Sequence, residues 1–304
     1  LMLHIHTRLF LPLAMCSLFD CSSFALDCTG NAAQADGLDL PLQRAWAHVS
    51  TSPPSPAWGG PARHDYWHNK HGLRSRVNFD RAFQPVCSGG RIYYGSSADD
   101  GIHCLEAVTG KRVWSTFTEG PVRVAPTIAG DRVYAGSDDG RVLCLSAKDG
   151  SLHWTYRPSG IDRRIIGNGR MISRWPVRTG VVVEDGVGFC GAGLFPTSEG
   201  AFLCSFDTAT GKERFRQTLD VSANGPMVAS DDFLILPTGR TEPMAFSRQD
   251  GKRLGSIRGP GGDVVLTSGD LVLAGSGAIN ERLDVSDAGT RRHLASLPGI
   301  RAVL

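Results

Sequence analysis

The 304 residues hold no apolar stretch of the roughly 18–20 residues that a membrane-crossing helix needs, so no segment of them is expected to span a bilayer as a helix. No C-x-x-C pair occurs, which argues against a structural zinc fold built on paired cysteines. A G-x-S-x-G elbow, an H-E-x-x-H helix and a P-loop are all missing, so these routes to hydrolytic or phosphoryl chemistry are closed. Charge of one sign is scarce too: 32 Lys and Arg face 30 Asp and Glu, and a net +2 leaves no footprint for nucleic acid or an anionic membrane. No long segment carries apolar residues at helical spacing. What the chain has in plenty is glycine, 37 residues, as many short strands joined by tight turns require.

A block of some forty residues recurs. Tyr93, Gly95, Gly101, Cys104, Leu105, Gly110 and Trp114 align with Tyr134, Gly136, Gly140, Cys144, Leu145, Gly150 and Trp154. In a weaker third copy, Cys204, Gly211 and Phe215 take the places of Cys144, Gly150 and Trp154. Two further copies end at the turn glycines Gly251 and Gly289, so the five turn glycines follow one another at spacings of 40, 61, 40 and 38 residues. Self-similarity at this period marks a stacked or radial array. A unit of four short strands cannot bury both faces of its sheet alone, and such units close as blades around an axis. The expectation is an all-β chain, a β-propeller of four-stranded blades over residues 61–304, with blade number and ring closure open.

Within a unit, Arg91–Tyr94, Arg132–Ala135 and Phe233–Leu236 are short β-branched, aromatic or aliphatic runs that suit buried strands. Asp139-Gly140, Asp149-Gly150, Asp185-Gly186 and Asp250-Gly251 fall between such runs as turns, where glycine supplies positive φ. Trp114 and Trp154 are expected to pack between neighbouring blades. Cys104, Cys144 and Cys204 read as small hydrophobes at one equivalent place, Cys87 and Cys190 as structural. A disulfide is left to Cys16, Cys21 and Cys28.

The elements LEAVTGKRVW, LSAKDGSLHW and FDTATGKERF resemble the A-x-D-x-x-T-G-K-x-x-W element of the pyrroloquinoline quinone (PQQ)-like β-propeller repeat family, over roughly residues 60–304. Glu106 and Ser146 stand where that pattern prefers Asp, and Asp207 matches it. The family includes quinoprotein alcohol dehydrogenases and BamB-type assembly lipoproteins, and residues 161–180 further resemble a segment of planctomycete-type PQQ-repeat proteins. A dehydrogenase would need PQQ and Ca²⁺ and often carries adjacent cysteines, which are absent here. The resemblance therefore implies a non-catalytic binding or scaffold module of the cell envelope. The alternatives are a PQQ-dependent dehydrogenase and the sensor portion of a larger enzyme.

The amino terminus reads as an export leader, residues 1–26, with His4, His6 and Arg8 ahead of an apolar run and Ser23-Phe24-Ala25 as a cleavage site, implying a periplasmic or envelope location. Residues 27–60, rich in proline near their end, read as a linker. His64, His68 and His71, near Asp65 and Trp67, read as surface or closure-strand residues, with metal binding the lesser alternative. The 61-residue spacing holds the candidate ligand-binding set: Arg163, Arg164, Asn168, Arg170, Arg174, Trp175 and Arg178. Guanidinium groups gathered on one connection can grip a small anionic ligand or an acidic protein partner in bidentate fashion. Alternatively they pair with Asp99, Asp100, Asp138 and Asp139 of neighbouring turns. No metal site and no resident cofactor are expected.

Overall fold

The computed structural model describes residues 43–57, 80–167, 169–197, 200–230, 232–239, 241–259, 264–275 and 282–300. The leader, Cys16, Cys21, Cys28, Asn168 and the histidines at 64, 68 and 71 lie outside them. Among the described residues there is no helix. β1 (Pro85–Ser88), β2 (Arg91–Gly95), β3 (Gly101–Glu106) and β4 (Arg112–Phe117) form the first antiparallel sheet, in chain order. The second is β5 (Thr127–Ala129), β6 (Arg132–Gly136), β7 (Val142–Ser146) and β8 (Leu152–Tyr156). A two-stranded hairpin follows, β9 (Arg164–Gly167) and β10 (Arg170–Ser173). The third sheet is β11 (Val182–Glu184), β12 (Val187–Phe195), β13 (Gly200–Asp207) and β14 (Glu213–Leu219). β15 (Val228–Ala229), β16 (Phe233–Leu236), β17 (Met244–Ser247) and β18 (Arg253–Ser256) form the fourth. β19 (Val264–Ser268), β20 (Leu271–Gly275), β21 (Arg282–Asp287) and β22 (His293–Pro298) form the fifth. The molecule is a β-propeller, and these sheets are its blades.

First strands of successive blades touch, β5 with β11 and β15 with β19, so they are the innermost. The cores lie between blades rather than within them. Tyr134, Cys144, Tyr156, Val183, Cys190 and Phe206 fill the gap between blades two and three. Phe189, Leu203, Met227, Leu234 and Phe246 fill the next.

The recurring tryptophan and glycine lock the blades together. Trp114 packs on Gly150 of the next blade, where an added Cβ would sit 2.6 Å from the ring, and its indole N–H donates to the Ala147 carbonyl at 3.1 Å. Trp154 treats Gly211 and the Thr208 carbonyl in the same way, and Phe215 covers Gly251. Each glycine also has positive φ, 74° at Gly150, so it is required twice, by conformation and by clearance. Arg91 and Arg132 reinforce the locks, donating to the Ala147 and Lys148 carbonyls and to those of Thr208 and Ala209. Ahead of the first blade, Trp46 covers Gly110 and donates to the Ala107 carbonyl at 2.9 Å. Residues 43–57 of the proline-containing stretch thus lie against blade one.

Two equivalences read from the sequence shift. In the turn closing β3 to β4 and its counterparts, the amide N–H of Gly110, Gly150, Gly211, Gly251 and Arg291 each donates to the carbonyl four residues back. The fifth turn position is therefore Arg291, at φ 60°, and not Gly289. The change has a reason: the residue that should lock it, four beyond Gly251, is Gly255, so no ring demands the clearance. Likewise a bulge between third and fourth strands falls at Cys104, Cys144, Ser205, Ala245 and Val285. Ser205, not Cys204, matches Cys144. With period-two alternation, Cys204 faces the preceding blade rather than the following one.

Candidate functional site

Antiparallel order places the starts of the inner strands, the loops joining second to third strands, and the exits of the fourth strands at one end of every blade. The insert also leaves from this end. There Arg123 and Arg178, each four residues ahead of an inner strand, converge on one carboxylate. Arg123 Nε donates to Asp138 Oδ2 at 2.6 Å, and Arg178 donates through Nε to Oδ1 and through Nη2 to Oδ2, both at 2.7 Å. Arg123 Nη1 reaches Asp80 at 2.8 Å and the Ser55 carbonyl at 2.7 Å, and Asp80 also accepts the Ala57 N–H. All four ionic side chains are buried. Burial alone would raise the Asp138 carboxyl, but the guanidinium groups of Arg178 and then Arg123 outweigh it and hold it below its ordinary range. Two cations and two anions compensate one another here, binding three blades and the 43–57 segment into one polar knot.

The remaining arginines of the insert part company. Arg164 pairs with Glu119 and Asp162, and Arg170 with Asp100, so two of the acids come from blade one and its exit. Glu119 also takes Arg141 at 3.1 Å, and its carboxyl is held below the usual range by the hydrogen bond from Arg164 and the charge of Arg141. Arg174 lies 5.9 Å from the centroid of Trp175, whose ring is buried, and its amide N–H donates to the exposed Arg163 at the carbonyl. Arg178 and Trp175 are sealed inside. Arg163, Arg164, Arg170 and Arg174 remain at the surface.

Sequence reasoning did not foresee the hairpin within the insert or the role of Arg123. A signal for Arg123 existed: Pro121-Val122-Arg123 recurs as Pro176-Val177-Arg178. On the hairpin, Met171 is the register partner of Ile166, and the two are 53% and 78% exposed, while Ile172 on the other face is buried. The hairpin thus offers an apolar pair to solvent, beside arginines, on a platform tied to blade one by two ion pairs.

Comparison with known proteins places this geometry. The family described as outer membrane protein assembly factor BamB matches residues 57–188 and 168–280. Among solved structures, BamB from Moraxella catarrhalis is 16% identical, with 70% of this chain and 74% of that one covered at a TM-score of 0.41. A quinohemoprotein alcohol dehydrogenase from Comamonas testosteroni is 15% identical, with 80% of this chain and 47% of that one covered at 0.55. The computationally designed Ika8 protein is 15% identical, with 75% and 66% covered at 0.51. At these identities the likeness to the last two is one of fold. The chain spans about half the length of the dehydrogenase. No curated protein matches.

Proposed function

Since the chain belongs to the PQQ-like repeat family of the outer membrane protein assembly factor BamB, we propose that it is a non-catalytic binding module of the cell envelope that holds a protein partner at its hairpin end. The observation that carries this reading is the opposed Ile166 and Met171 pair, exposed on a hairpin whose two outer edges no other strand covers among the described residues. An extended segment can pair along such an edge and set its apolar side chains on the exposed face, and acidic side chains in it would meet Arg163 and Arg174. The family description and the leader-like amino terminus support export.

The dehydrogenase reading draws on shared fold alone. Calcium takes about 6–8 oxygen ligands. Of the carboxylates at the end from which the insert leaves, Asp138 is clasped by two guanidinium groups and Asp80 by one, which would repel a dication at that place. Asp80 and Asp138 therefore do not fit as calcium ligands.

The test is a photo-crosslinking residue placed in the exported chain at Ile166 or, as a control, at Val108, which is 66% exposed in a turn at the opposite end. A protein adduct from position 166 and none from 108 is expected. No adduct, or equal yield from both, overturns the reading.

A further inference from the structure

Cys190 on β12 and Cys204 on β13 are directly opposed across the ladder. Opposed residues of an antiparallel pair stand about 4.5 or about 5.5 Å apart at Cα, and disulfides span about 4.4–6.8 Å, so either pairing class admits the bond. Both side chains leave the same face, toward blade two, and both are fully buried. The matching pairs in the other blades are Tyr94 with His103, Ala135 with Leu143, Leu236 with Met244, and Ala274 with Asp284. Blade three alone among the described blades sets two sulfurs face to face at this place. The register slip described above is what hid the pair: aligned with Cys144, Cys204 would point away from Cys190.

We propose that Cys190 and Cys204 form a dithiol–disulfide site, joined while the chain folds by an oxidant of the disulfide class, a thiol–disulfide oxidoreductase or a small-molecule disulfide. One cysteine thiolate attacks the oxidant's disulfide, forming a mixed disulfide and releasing one reduced thiol. The second cysteine sulfur then displaces the remaining oxidant thiol. One S–S bond forms in the chain, and its two thiol protons and two electrons pass to the oxidant's sulfur pair. Folding must precede neither step. Once the blade closes, burial pushes the Cys204 thiol up to about 12 and that of Cys190 well above its ordinary value, so the attacking thiolate vanishes and the sulfurs are out of reach. The site is closed in whichever state it folded.

The full chain is refolded from denaturant with reduced glutathione alone or with an oxidised and reduced glutathione mixture. Free thiols are then alkylated under denaturing conditions and the peptides mapped by mass spectrometry. Oxidised refolding should link Cys190 to Cys204 and leave Cys87, Cys104 and Cys144 alkylated. It should also raise the thermal midpoint by several degrees, a shift absent from the Cys190→Ala/Cys204→Ala variant. Alkylation of Cys190 and Cys204 after oxidised refolding, a link from either to another cysteine, or folding only under reduction would each overturn the proposal.

Discussion

Asp138 shows how one side chain serves several blades. It is fully buried between two guanidinium groups, and the structure tolerates it only because every charge in the knot has an opposite neighbour. Asp138→Asn keeps the shape but leaves Arg123 and Arg178 short of an anion, a change that costs about 3–5 kcal/mol when a buried pair is broken. A urea midpoint at neutral pH reads the loss. The pH dependence follows from the depressed folded pKa: stability from this carboxylate is complete above the unfolded value of 3.8 and disappears as pH falls through the lower folded value. The gap between wild type and variant should therefore be full at pH 7 and close only well below pH 3.8. An unchanged gap at all pH values would show that the loss is one of packing alone.

The aromatic lock acts between elements, and its broken copy gives a test. Gly150→Ala places a Cβ 2.6 Å from the Trp114 ring on a backbone at φ 74°. Overpacking and left-handed strain together should cost about 2–4 kcal/mol. Arg291 holds the same turn position at φ 60° with no ring above it, its guanidinium 6.0 Å from the Phe233 ring instead. Arg291→Gly should remove roughly 1 kcal/mol of strain and a cation–π contact of similar size, leaving stability within about 1 kcal/mol of wild type. Denaturant midpoints of the two variants distinguish required glycine from habitual glycine. Such elements were the legible part of the sequence. The strands Arg91–Gly95, Arg132–Gly136 and Phe233–Leu236, the Asp-Gly turns and the inter-blade tryptophans were readable because each is local and repeated. The Cys204 slip was legible but missed: Cys104 and Cys144 stand six residues before Gly110 and Gly150, whereas Cys204 stands seven before Gly211, so Ser205 holds the equivalent place at the bulge. The candidate arginines were found as a group, and pairing with Asp100 and Asp138 was among the readings and holds for Arg170 and Arg178, whereas Glu119, which claims Arg164, was not foreseen because it lies at the exit of a distant strand.

At the scale of the molecule, each blade packs chiefly on its neighbours, so stability resembles a sum of blades and seams. The seam between blades four and five lacks its aromatic lock, because Gly255 stands four residues beyond Gly251 where Trp154 stands four beyond Gly150. Amides of β20 and β21 are therefore expected to exchange with deuterium before those of β12 and β13, which sit between two locked seams. Uniform protection across the described blades, read by hydrogen exchange, would mean that the array opens as one unit and that the missing lock is immaterial.

The tryptophan that covers Gly110 comes from residue 46, ahead of the first blade, and the later lock rings, Trp114, Trp154 and Phe215, likewise reach forward along the chain to Gly150, Gly211 and Gly251. The array consequently has a grain. A ribosome delivering this chain presents each of these keys before the keyhole that receives it, so the 43–57 segment and blades one to three each offer a waiting ring to the blade that follows, and blade four offers none. The same blades translated in reverse order would find each of these glycine slots formed before its ring existed.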